Sequence, residues 1–128
     1  MAPRSLVPRL TDVVAAIERV RQVLGDLDLD AFEANWEKQW LVERGVEIVS
    51  EASRHLTFDL KARHADIPWK NVADIGYVLR HADQDIAAHV IWSVDRDHMP
   101  ALERVCREEL AAALAADKLN ADESGALR

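Results

Sequence analysis

A chain of 128 residues carries 16 Lys and Arg against 23 Asp and Glu, a formal net charge of −7, with 49% hydrophobic residues and one cysteine. That length is one domain with enough chain to bury a core unaided; the lone Cys106 excludes an internal disulfide and argues against a cysteine-ligated metal site, and the charge excludes a general nucleic-acid coat, which needs concentrated cations. No run nears the roughly 18 apolar residues of a membrane span, and Met1-Ala-Pro-Arg-Ser-Leu-Val-Pro8 lacks the apolar stretch of a secretory signal, so a cytoplasmic protein without membrane contact is expected.

Leu10, Val13, Val14, Ile17, Val20 and Leu24 recur at helical spacing and predict a first helix. Thr11 or Asp12 is its expected cap, and Gly25 its stop. Asp26-Leu-Asp-Leu-Asp30 then opens a short helix, its carboxylates suited to the positive end of the dipole. The longest expected helix runs from about Trp36 to Leu56, with Trp36, Trp40, Val42, Val46 and Val49 along its apolar stripe. Gly45 sits inside it, either permitting a close helix crossing or merely tolerated at about 1 kcal/mol. Trp36 and Trp40, four apart, are either core anchors or part of a dimer surface. Thr57 to His64 reads as a short helix, and Pro68-Trp69 starts another with Val72, Ile75, Gly76 and Leu79 on its buried face. The polar stretch Arg80 to Asp85 breaks the pattern, which Ile86, Val90, Ile91 and Val94 resume. Pro100 opens the last helix, with Leu102, Val105, Cys106, Glu109 or Leu110, and Ala113 inward. From Asp117 onward the periodicity is lost. The expectation is therefore an all-α, mostly antiparallel bundle of five to seven helices over residues 1–116, followed by a flexible tail over 117–128.

Chemistry concentrates in the middle third. Arg54 to His81 holds five Lys or Arg against three Asp, so this segment is +2 and the remainder −9. It also holds His55, His64 and His81. Arg80 and His81 are adjacent at a helix end, with Asp83 two residues on. Imidazole moves protons near neutral pH, and guanidinium grips phosphate through paired hydrogen bonds. Asp83 could orient His81 and raise its pKa, or neutralise Arg80 by pairing with it. Neighbours on a helix point about 100° apart, so Arg80 and His81 reach one phosphate only if the helix ends there or a second subunit supplies one of them. Glu47 and Glu51 read as ion-pair partners of Arg44 and Arg54 on a solvated face, or as a carboxylate pair for metal or acid–base work. His64 and Asp66 read as a surface turn, His89 and His98 fit no ligand spacing, and Cys106 reads as core. No phosphate-cradling glycine loop, serine triad or zinc pattern is present, and no cofactor or metal is expected.

Several blocks resemble one known family in order and spacing: Arg44-Gly-Val-Glu-Ile-Val-Ser-Glu-Ala-Ser-Arg-His-Leu56, Ile67-Pro-Trp69, Ile75-Gly-Tyr-Val-Leu-Arg-His81, Val90-Ile-Trp92 and Met99-Pro-Ala-Leu102. Together they are similar to the HepT-like family of the HEPN superfamily, over most of residues 9–115. The resemblance implies a HEPN-like helical homodimer. It also implies a toxin of a type VII toxin–antitoxin pair, made beside an MntA-type minimal nucleotidyltransferase antitoxin. Family members cut RNA without metal at a dimer-interface cleft lined by an arginine, four residues, a histidine, one residue and a tyrosine; the antitoxin adds AMP to the tyrosine. His81 matches the motif histidine. The arginine place is Gly76, with Arg80 as the nearby cation, and the tyrosine place is Asp83. Tyr77, one turn before His81, is the nearest phenol.

Three functions follow as expectations. The first is a metal-independent endoribonuclease with His81 as base or acid and Arg80 on the phosphate. The second is a non-catalytic helical partner or substrate-binding subunit of a nucleotidyltransferase. The third is a homodimer that binds nucleotides or RNA without turnover.

Overall fold

Four helices begin at side-chain caps that the sequence supplies, and the caps fix where each loop ends. A computed structural model describes residues 5–126; residues 1–4, where the segment read against a secretory signal begins, and 127–128, the end of the expected tail, lie outside them. Asp28 accepts the Ala31 N–H at 2.8 Å and starts α2 (Leu29–Glu33), and Asn35 accepts the Lys38 N–H at 3.0 Å and starts α3 (Trp36–Ser53). Thr57 caps α4 (Phe58–Arg63) through the Leu60 N–H at 3.2 Å. Asp83 caps α6 (Gln84–Asp97) through the Ile86 N–H at 3.0 Å.

The other helices start differently. Helix α1 (Val7–Leu24) begins a turn earlier than expected, with Pro8 in its first turn and no side-chain cap. Proline is preorganised for that position and lacks the N–H that would be left unpaired, so Thr11 and Asp12 lie inside the helix rather than at its mouth. Gly25 ends it as expected: at φ 48° its N–H reaches the Arg21 carbonyl at 2.9 Å. Pro68 precedes α5 (Trp69–His81). Helix α7 (Met99–Ala126) is 28 residues long. It, and not α3 with its 18 residues, is the longest. The backbone stays helical past residue 116 although its side chains from Leu114 to Asp122 are exposed, because Ala, Lys and Leu favour a helix whether or not they pack. Among the described residues there are seven helices and no strand, which is the all-α architecture expected. Among the described residues no helix is long and apolar enough to cross a membrane.

The core runs through the middle of the bundle. Leu10, Val13, Ile17 and Val20 of α1 meet Val42, Val46 and Val49 of α3, all essentially inaccessible. Gly45 makes this approach possible, since a Cβ there would stand 2.5 Å from Val20 Cγ2. Helix α7 runs antiparallel to α1, and Arg21–Glu103, Glu18–Arg107 and Ser5–Asp117 pair along the seam. Cys106 is fully buried there, and burial pushes its thiol up to about 12. Helix α2 docks on α6 through Phe32 against Trp92, rings 5.7 Å apart, and through Glu33 with His89 at 2.7 Å. Helix α5 lies antiparallel along α3, which places its last turn beside the middle of α3.

Candidate functional site

The last turn of α5 separates its two basic residues. Arg80 turns toward α3, into a shallow groove lined by Arg44, Glu47, Ser50, Glu51, Arg54 and Gly76. Its guanidinium curls back one turn: Arg80 Nη1 lies 3.5 Å from where a Cβ on Gly76 would stand. Gly76 is buried against Ser50, whose Oγ donates to the Ala73 carbonyl at 2.8 Å. A Cβ at position 76 would therefore make only ordinary contact with Ser50 and Arg80. Arg80 makes no ion pair among the described residues, whereas Arg44 pairs with Glu47 at 3.7 Å and Arg54 with Glu51 at 3.8 Å. Arg54 also donates Nη2 to the Ala73 carbonyl at 2.8 Å. Glu47 and Glu51 are thus the ion-pair partners the spacing allowed. Among the described residues no three His, Cys, Asp or Glu side chains gather where they could hold a metal ion.

His81 points away from the core. Its ring stacks on Tyr77, centroids 4.1 Å apart and planes 21° from parallel. Its Nδ1 lies 3.0 Å from the Tyr77 carbonyl oxygen. A carbonyl only accepts, so Nδ1 carries the proton and the neutral ring keeps its lone pair on Nε2. Nε2 makes no hydrogen bond to the protein among the described residues. Tyr77 shares the His81 face, as the spacing of four implies, and is 58% exposed. Arg80 and His81 of one chain thus diverge around the helix.

Asp83 pairs with neither of them. Both sequence expectations for its carboxylate, orienting His81 or neutralising Arg80, give way to the capping of α6. One sequence signal fits this cap without ranking it above the other two roles: Asp83 comes three residues before the apolar period resumes at Ile86.

The sequence reading also missed a second polar cluster. Glu109 of α7 accepts from Arg63 Nε and Nη2 at 3.2 and 2.9 Å and lies 2.8 Å from His64 Nε2. The Arg63 hydrogen bond, with His64 behind it, holds the Glu109 carboxyl below its usual range. His64 is therefore part of the tie between α4 and α7 rather than a free surface turn; its carbonyl also accepts from Trp69 Nε1 at 3.0 Å. Arg63 and His64 lie 46 and 45 residues from Glu109, and no local pattern links them.

The family model described as Ribonuclease HepT-like matches residues 13–109. "Probable ribonuclease HepT" of Thermococcus cleftensis is 30% identical over 99 residues, covering 77% of this chain and 90% of that protein. "Putative RNase MJ1380" of Methanocaldococcus jannaschii is 25% identical over 104 residues, covering 81% and 95%. No solved structure matches.

Proposed function

Because the chain belongs to the ribonuclease HepT-like family, we propose that it is a metal-independent endoribonuclease whose site forms between two copies of the chain, with Arg80 and His81 as its working groups. The observation that carries this reading is the unpaired Arg80 guanidinium over Gly76, the place of the family's arginine, one residue from a histidine with a free Nε2. In this reading Arg80 serves as the motif's cation from one turn further along.

The chemistry follows from those atoms. Nε2 of one His81 takes the proton from a 2′-hydroxyl, and the 2′-oxygen attacks the adjacent phosphorus. The 5′-oxygen leaves with a proton from an imidazolium, which the second subunit's copy of the same histidine supplies. Arg80 neutralises the charge that builds on the phosphorane oxygens. The Tyr77 carbonyl fixes the tautomer and the Tyr77 ring fixes the plane. Two subunits are needed because Arg80 and His81 diverge within one.

The test is RNA integrity with the purified chain in excess EDTA. Cleavage is expected, and His81→Ala should lower the rate by about 10²–10⁴. Intact RNA from a folded dimer removes the nuclease. In this proposal the protein is the toxin of a type VII pair with an MntA-type nucleotidyltransferase antitoxin, and its expression alone should arrest growth.

A second reading has its own observation. Asp83 stands in the place of the family's tyrosine and is committed to a cap, so no phenol there can take AMP. A non-catalytic helical subunit of a nucleotidyltransferase fits that loss. Tyr77 is the only tyrosine in the chain, so a mass increase of one AMP that survives Tyr77→Phe excludes tyrosine as its acceptor. Co-purification with the nucleotidyltransferase without toxicity favours this second reading over the first.

A further inference from the structure

Two of the largest apolar side chains in the molecule lie outside its core. Trp36 and Trp40 are 54% and 62% exposed. Their rings meet edge to face, centroids 4.9 Å apart. Burying either ring in the bundle would have been favourable, yet Asn35 caps α3 in a register that turns both outward. Their neighbours give the pair a direction. Trp36, Trp40, Arg44, half-buried Glu47, Glu51 and, at the C-cap, Arg54 follow one another along one stripe of α3, three or four residues apart. The lower part of that stripe is the wall of the Arg80 groove. Its upper part, Trp40 with Glu43, shares a hollow with Leu79 and Ala82, the residues on either side of Arg80-His81.

We infer that Trp36 and Trp40 are a base-stacking platform that holds the unpaired bases of single-stranded RNA beside the phosphate gripped at Arg80 and His81. This rests on the nuclease reading for its choice of phosphate but not for the binding itself. Every base has a π-face, and aromatic side chains hold bases with little regard to sequence. The stripe explains how a chain of net charge −7 binds a polyanion. Three arginines on the groove meet two glutamates, Glu47 and Glu51, so the groove itself carries a net charge of only +1. Attraction comes from stacking, with Arg80 as the one groove arginine free of an ion pair among the described residues. RNA is the occupant rather than duplex DNA, because stacking on a side chain requires a base already out of its helix.

The probe is a short oligouridylate with 2′-O-methyl groups, which the proposed chemistry cannot cleave, titrated into the full-length protein. Saturable quenching of tryptophan fluorescence is expected. Trp40→Ala should weaken binding by about tenfold, while Trp40→Phe should retain most of the affinity because an aromatic face remains. Binding should fall only shallowly with salt, with a logarithmic slope of about −0.7 to −1.4 for one or two phosphates. Unchanged affinity in Trp36→Ala and Trp40→Ala overturns the platform. So does a fall in sedimentation mass in those variants, which would mean that a second copy of the chain covers the pair. The two proposals fail separately. Tight binding with uncut ribose RNA removes the nuclease and leaves the platform. Cleavage by Trp40→Ala with an unaltered KM removes the platform and leaves the nuclease.

Discussion

Gly45 and Gly76 are both mid-helix glycines, and they mark two differently built regions. At Gly45, α3 crosses α1 so closely that a Cβ would overlap Val20. Around it Leu10, Val13, Ile17, Val42 and Val46 are essentially inaccessible. At Gly76, α5 passes α3 with room to spare: a Cβ would touch Ser50 Oγ at 3.4 Å and Arg80 Nη1 at 3.5 Å. Tyr77, Val78 and Ile86 are exposed nearby. An apolar hollow of about 310 Å³ opens between α5, α3 and the junction of α6 with α7, with Val46, Val72, Ile75 and Leu102 among its walls. One glycine is required for the core to close, and at the other a methyl group would fit. The first region supplies the stability that lets the second remain open.

Leu10→Ala should break that contrast most strongly. It empties a fully buried position and should cost about 2–5 kcal/mol, read from denaturant midpoints. Ile86→Ala on the open side is half exposed and should stay within about 0.5 kcal/mol. Equal losses at the two positions would dissolve the distinction.

The glycines themselves give the next test. Gly45→Ala forces Cβ into the stiff Val20 side chain and should cost about 1–3 kcal/mol, partly offset by the roughly 1 kcal/mol helix preference of alanine. Gly76→Ala meets only ordinary contacts and should be neutral or stabilising by up to about 1 kcal/mol. Arg80 should keep its place, so nuclease activity should hold as Tm does. A drop in Tm for Gly76→Ala as large as for Gly45→Ala contradicts the account of the two crossings.

Asp83→Ala should cost about 1 kcal/mol by uncapping α6, and Asp83→Asn almost nothing, since Asn caps as well. If instead Asp83→Asn shifts the pH profile of cleavage, the carboxylate acts on His81 after all.

The smallest effect is one of pH. Glu109 has a depressed pKa in the folded chain because Arg63 and His64 hold its charged form. Its contribution is complete above the ordinary glutamate value and disappears as pH falls through the depressed one. Thermal stability should therefore decline on acidification, and Glu109→Gln should show a smaller decline over the same range. Parallel curves for the two proteins would show that the α4–α7 tie carries no such linkage.

The residues that were legible beforehand share a property. Leu10 to Leu24, Val42 to Val49 and Leu102 to Ala113 repeat at helical period, and a buried stripe has no other way to be written. Gly25, Pro68 and Pro100 punctuate because their backbones allow little else. The pairing of Glu47 with Arg44 and of Glu51 with Arg54 is local, set by one turn of helix. Other residues were ambiguous for an equally physical reason. Trp36 and Trp40 satisfy the apolar period whether they face the core or the solvent. Asp83 offers one carboxylate to three claimants, Arg80, His81 and the α6 N-terminus, and sequence order does not rank them.

The sequence by itself determined the helices, the buried faces and the family, because periodicity, caps and motif blocks are properties of neighbours along the chain. Tertiary structure alone decided that Arg80 lies in a groove walled by α3, that Glu109 ties α7 to α4 and that the two tryptophans stand outside. Each of these depends on which helix lies across from which, and that is set by the packing of the whole bundle.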